Sequence, residues 1–127
     1  MMKTFAAAMA AFLIIIGGTT IYIYVLSGSV DTMEVCVENI MTHAREENWE
    51  DCQASLNEFL EHWDSAKKWV AAFIHHDEMD LINEALYEIK GYIEYQNAEQ
   101  TIVKANVLQI LLEHIPENEK FTIENIF

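Results

Sequence analysis

The chain of 127 residues is strongly acidic, with 21 Asp and Glu against seven Lys and Arg and a formal net charge of −14. All the acidic residues and six of the basic ones lie at or after Asp31, so residues 31–127 carry −15. This charge repels phosphate backbones and anionic lipid heads, which excludes nucleic acid as the expected partner. Basic proteins, cationic peptides and divalent metals remain. Residues 31–127 suffice for one compact helical core and no more.

The first segment is an uncharged run from Phe5 to Leu26, which as a helix would extend about 33 Å and cross a bilayer core. Lys3 is the only charge in this part of the chain, and the positive-inside rule then predicts a cytoplasmic N-terminus. We therefore predict a transmembrane anchor over residues 1–29 and an extracytoplasmic acidic domain over residues 30–127. A signal peptide cleaved near residues 27–29 is the alternative, which the length of the run disfavours. Both interpretations place the domain outside the cytoplasm.

Beyond the anchor, apolar residues recur at helical spacing, with no Pro before Pro116 and with Gly91 as the one Gly in the periodic region. Short connections between long helices make neighbours antiparallel. The sequence predicts an all-α fold in which an N-terminal single transmembrane helix is followed by an antiparallel up-down helical bundle of about four helices. Pairs typical of helix starts are Asp31 with Glu34, Asn48 with Asp51, Asp77 with Asp80, and Asn97 with Gln100. We expect Pro116 to end the last helix before a short apolar tail, Phe121 to Phe127.

The first two predicted bundle helices differ in length. Residues 31–47 would extend about 25 Å and residues 49–75 about 40 Å, so the second helix would return past the membrane surface. A bend at residues 27–29 or a kinked or tilted second helix would resolve this. A third possibility is contact of Trp69, Phe73 and Ile74 with the lipid headgroups. Core packing is the favoured role for all three side chains.

The two cysteines, Cys36 and Cys52, lie on either side of the first predicted turn. If that turn centres near Glu47, the two positions are offset by about 9 Å along the helices, which is beyond the reach of a disulfide. Neither cysteine has a Cys-x-x-Cys neighbour or a metal-ligand spacing. We expect two free, mostly buried thiols.

The densest polar cluster is His75–Glu78, at the junction between the second and third predicted helices. His76 and Asp80 share a helix face, and His62 could converge on them, so the candidate metal ligands are His75, His76, Asp80 and His62. A polar turn in which a histidine bonds to helix-end carbonyls is the favoured interpretation, so no cofactor or metal is expected. The Glu-x-x-His pairs of di-iron bundles and the His-Glu-x-x-His motif are absent from the sequence. No nucleophile–base spacing indicates a hydrolase, and we expect a protein that is not an enzyme.

A single N-terminal span, the stretch Trp63–Glu78 and the terminal Asn125–Phe127 together resemble the bacterial membrane-anchored family catalogued as domain of unknown function 4363. The resemblance covers nearly the whole chain and depends on Trp and His positions rather than on a catalytic signature. It implies an α-helical architecture and a bacterial cell membrane. It brings no activity, ligand or catalytic residue with it.

These features predict a single-pass protein of the cell membrane whose acidic domain binds another protein, or a second copy of itself, outside the membrane. The candidate interaction residues are Glu78 at the helix junction and Ile123, Ile126 and Phe127 in the apolar tail. The alternative function is an extracytoplasmic ligand or metal sensor that uses the histidines of the same junction.

Overall fold

A computed structural model describes the backbone of residues 1–72 and 74–126, and the side chains of residues 1–22, 28, 30–72 and 74–115. These residues form α1 (Met2–Arg45), α2 (Trp49–Val70), α3 (His76–Glu94) and α4 (Ala98–Ile126). α1 packs against α2 and α4, α4 also packs against α3, and α2 touches α3 more sparsely. The predicted fold class, an apolar N-terminal helix followed by a packed helical bundle, is confirmed.

α1 runs without interruption from the apolar segment into the bundle over 44 residues. The predicted helix start at Asp31 is therefore wrong. Gly28 in a helix interior costs only about 1 kcal/mol relative to Ala, too little to break a helix that is packed on its C-terminal side. The Gly28 carbonyl also accepts a hydrogen bond from Thr32 Oγ1 at 3.0 Å. The first part, Met2–Tyr22, is exposed and is long and apolar enough to cross a membrane, a criterion that a signal sequence also meets.

The core is built from one apolar face of each helix, as the spacing predicts. Trp63 of α2 is buried, and its indole N–H donates to Asn83 Oδ1 of α3 at 3.1 Å, which satisfies the ring's polar atom inside the bundle. Cys36 and Cys52 are free and buried, as predicted. Buried side chains at the centre include Val37 and Ile40 of α1, Leu56 and Phe59 of α2, Ile82 and Ile89 of α3, and Leu108 and Leu112 of α4.

The turns that join α1 to α2 and α3 to α4 have the same geometry, and we call the end where they lie the far end of the bundle. Glu47 and Gln96 take left-handed φ angles of 55° and 54°. The next residue, Asn48 or Asn97, donates its N–H to a carbonyl in the last turn of the preceding helix, at 2.9 and 2.8 Å. Its side-chain oxygen accepts an N–H from the first turn of the next helix. Each Asn thus closes a Schellman motif and caps the following helix, which confirms the predicted caps.

The other end of α2 lies beside the apolar part of α1, and we call this the anchor end. α2 ends at Val70, short of the predicted residue 75, and Ile74 is buried in the turn that follows. Trp69 is 62% exposed, so the predicted core role is wrong for this residue. Its ring centroid lies 5.7 Å from that of Tyr22, and the Tyr22 hydroxyl donates to the Trp69 carbonyl at 2.8 Å. The shorter α2 brings its C-terminus level with Tyr22; Phe73 lies outside the described residues.

The last two helices begin and end at positions that differ from the prediction. α3 begins at His76 with His75 as N-cap, one residue before Asp77. α4 continues through Pro116 to Ile126, so the predicted stop is wrong. Proline removes one intrahelical hydrogen bond and crowds the preceding turn, at a cost of about 3 kcal/mol. Residues 117–126 contain no Gly and no second Pro that would add to this cost.

The far-end turns predict stability changes of opposite sign. Asn97→Ala removes the cap of α4 and should lower the free energy of unfolding by about 1 kcal/mol. Gln96→Gly should raise it by about 0.5–1 kcal/mol, because Gly takes a positive φ without the Cβ clash. Denaturant unfolding of the full chain in detergent, followed by circular dichroism, measures both. Changes of the same sign would contradict the geometry of this turn.

Candidate functional site

The structure places the predicted metal ligands of the helix junction on the surface. His75 and His76 are exposed at the start of α3, and Asp80 is exposed one turn later. Within the described part of the chain, none of these three joins His62 in a group of ligand atoms close enough for one ion. Glu78 lies in the first turn of α3 and is partly exposed.

The other predicted interaction residues lie at the end of α4. Ile123 and Ile126 belong to the helix by their backbone, but their side chains are outside the described residues, as is the whole of Phe127. Their role in binding stays a prediction.

His62 belongs to a different group of side chains, which we call the thiol group: Cys36 of α1 with Glu58 and His62 of α2. Each residue offers one ligand atom, and these atoms all lie within 4.8 Å of one another. Glu58 and His62 are one helical turn apart and share the face of α2 that borders Cys36. Cys36 is 2% exposed, whereas Glu58 is exposed and His62 is partly exposed, so the thiol lies beneath two polar side chains.

The two thiols of the chain have different surroundings. Burial raises the pKa of the Cys36 thiol, and the nearby Glu58 carboxylate raises it further. Burial alone raises the pKa of the Cys52 thiol to about 11, and its Sγ lies 3.4 Å from the Ile40 carbonyl. Both thiols are therefore protonated at neutral pH, but among the residues that the structure describes, only Cys36 has a carboxylate and an imidazole beside it.

Sequence spacing links only two of the three residues of the thiol group. Glu58 and His62 stand four residues apart, a spacing that by itself indicates an ion pair on a helix surface. Cys36 is remote from them in sequence and joins them only because α1 and α2 pack as an antiparallel pair. The turn at Asn48 sets how α1 and α2 are aligned. No metal-ligand motif in the sequence reveals that this alignment brings Cys36 beside Glu58 and His62.

A second surface feature is an apolar stripe on the outer side of α4, which we call the α4 stripe: Val103, Val107 and Ile110. These side chains are 52%, 42% and 55% exposed. Their spacing places them on one face, opposite the buried face that includes Ala105 and Leu108. α4 is therefore apolar on two opposite sides, which is typical of a helix with partners on both.

At the anchor end, an aromatic pair is combined with basic residues. Tyr22 and Trp69 are in contact, and Lys67 and Lys68 lie in the last turn of α2. Lys67 is paired with Asp64 at 3.0 Å on the exposed surface. Basic side chains in the last turn also interact favourably with the negative end of the helix dipole.

Comparison with known proteins gives one match. The family described as "Domain of unknown function (DUF4363)" matches residues 20–126, most of the chain. The chain belongs to this family. The DUF4363 match includes the bundle, the thiol group, the α4 stripe and Tyr22, and it leaves residues 1–19 outside. No curated protein and no solved structure matches the chain.

The raised pKa of Cys52 predicts a loss of stability in alkali. Between the ordinary thiol pKa of 9.0 and about 11, the unfolded chain releases this proton while the folded chain retains it. The free energy of unfolding therefore falls as pH rises through this range. In Cys52→Ala the fall should be shallower, although the variant is less stable at every pH because of the cavity. Parallel pH profiles for the two proteins, from denaturant unfolding, would contradict this.

Proposed function

We propose that this DUF4363 protein is a non-enzymatic, single-pass membrane protein whose bundle binds protein outside the membrane. The observation that supports this function is the α4 stripe, because a contiguous exposed apolar patch is typical of protein-interaction sites. The occupant we propose is the same stripe of a second copy of the chain. The second candidate function, metal sensing, is favoured by the thiol group.

The continuity of α1 supports a second copy as the partner. The span Met2–Tyr22 and the bundle portion of α1 are one helix, and α4 packs along that helix. Every copy inserted in one membrane therefore presents its α4 stripe sideways at the same height. Confinement to a common plane raises the effective concentration of the two stripes. A twofold axis along the membrane normal would bring identical stripes together. Twofold symmetry is the commonest symmetry of homo-oligomers.

The acidic charge of the bundle acts against this association. Two copies with −15 each in residues 31–127 repel one another. At physiological ionic strength the screening length is about 8 Å, so the repulsion is largely confined to the rim of the contact. Added salt should thus strengthen binding to a second copy, whereas it would weaken binding to a basic protein.

The membrane placement is supported by two features of α1. Lys3 is the only basic residue before the bundle, which favours a cytoplasmic N-terminus and an extracytoplasmic bundle. Tyr22, at the end of the span, holds the carbonyl of exposed Trp69, and both ring types favour the headgroup level of a bilayer. The bundle would then stand directly on the membrane surface.

Cysteine cross-linking in membranes tests the α4 stripe. Val107→Cys should form an intermolecular disulfide under mild oxidation, because a twofold axis through the stripe places the two residues 107 side by side. Val35→Cys is the matched control, since Val35 is 55% exposed on the outer face of α1. It should cross-link little, and added salt should increase the Val107→Cys product. The native cysteines are buried and serve as an internal check on background oxidation.

Val107→Asp gives an independent test of the same contact. It should weaken self-association by at least about tenfold, about 1.4 kcal/mol, because it places an unpaired carboxylate in an apolar contact. Its effect on the unfolding of the monomer should stay within about 0.5 kcal/mol, because the position is on the surface. Equal cross-linking at residues 35 and 107, or unchanged association of Val107→Asp, would rule out the stripe as the dimer contact.

A further inference from the structure

We propose that Cys36, Glu58 and His62 form a binding site for one divalent transition-metal ion, with Zn²⁺ as the ion that fits best. A thiolate, an imidazole and a carboxylate are the three ligand types that zinc takes in proteins. A thiolate and an imidazole are softer ligands than oxygen, so this set favours zinc over Mg²⁺ and Ca²⁺, which prefer oxygen ligands alone.

The geometry requires only small movements. Zinc binds S at about 2.3 Å and N or O at about 2.0–2.2 Å, so ligand atoms around a tetrahedral ion lie roughly 3–4 Å apart. The three atoms here are already within 4.8 Å of one another. Cys36 is fixed by burial, while Glu58 is exposed and His62 is partly exposed, so both side chains can rotate toward it. No ion pair joins Glu58 to His62 within the described part of the chain, so an incoming ion need not displace one.

Protons balance in a simple way on binding. The Cys36 thiol is protonated before the metal arrives, so Zn²⁺ replaces that proton on Sγ, and one H⁺ is released to solvent. Glu58 would supply a carboxylate oxygen and His62 a ring nitrogen. Water completes the fourth position, because the chain supplies three ligands.

Such a site would stabilise the hairpin formed by α1 and α2. Cys36 belongs to α1, whereas both other ligands belong to α2, so the ion would cross-link the two helices at mid-height of the bundle. Because the ion binds the folded arrangement, its binding stabilises the fold. The site lies on the α1–α2 side, apart from the α4 stripe, so metal binding and self-association can be measured separately.

Metal titration of the full chain in detergent tests the site. Chelator-treated, reduced protein is titrated with Co²⁺ as a spectroscopic probe and with Zn²⁺ against a chromophoric chelator. We expect one equivalent to bind, a thiolate-to-cobalt charge-transfer band, and a rise in melting temperature with Zn²⁺. Cys36→Ser and His62→Gln should each weaken binding by at least about tenfold, since loss of even an outer-shell partner costs 10–100-fold at many metal sites.

Two matched variants keep the test specific. Cys52→Ser removes the other buried thiol, and His76→Gln removes a histidine of the α3 junction; both should bind metal as the unchanged chain does. His62 is partly exposed and Cys36 is buried, so His62→Gln should retain the fold even if Cys36→Ser does not. Absence of stoichiometric binding, binding without the thiolate band, or loss of binding in His76→Gln with retention in His62→Gln would overturn the proposal.

Discussion

The structure depends on one continuous helix. α1 carries the apolar segment Met2–Tyr22 and, without a break, the buried face that packs against α2 and α4. Because a helix is stiff over this length, whatever holds the N-terminal segment also sets the position and orientation of the bundle relative to that segment. The contact of Tyr22 with Trp69 fixes the same relation from the other side, since it ties the end of α2 to the last turn of the apolar segment.

Local signals in the sequence were sufficient for much of this fold. Asn48 and Asn97 were recognisable because a cap acts within three residues, and the buried faces followed from helical spacing. Tertiary contacts between residues distant in sequence decided the features that local signals did not predict. Asp31 resembles a cap, but α1 runs through it because the helix is packed from Val30 onward. Pro116 removes one intrahelical hydrogen bond, yet α4 continues past it. Trp69 has the helical spacing of a core residue, but its partner Tyr22 is 47 residues away and no local signal indicates that contact.

The candidate sites likewise differ in whether their residues are adjacent in sequence or are brought together only by the fold. The histidines of the α3 junction stand out in sequence because they are adjacent, yet they point to solvent at a helix start. The thiol group is scattered in sequence and is assembled only by the antiparallel register of α1 and α2. The α4 stripe was not predicted from the sequence; only the packed bundle shows that Val103, Val107 and Ile110 remain exposed. The thiol group lies between α1 and α2, whereas the stripe lies on the exposed face of α4, so one bundle can carry both.

Depth-dependent quenching of single tryptophans tests most directly whether α1 holds the bundle on the bilayer. The full chain is placed in vesicles that contain lipids brominated near the headgroup, with either Trp69 or Trp49 kept and the other tryptophans replaced by Phe. The two positions are separated by about 30 Å along α2. We expect strong quenching of Trp69 and little of Trp49. Equal quenching of both, or none of Trp69, would show that the bundle does not stand on the membrane through its anchor end.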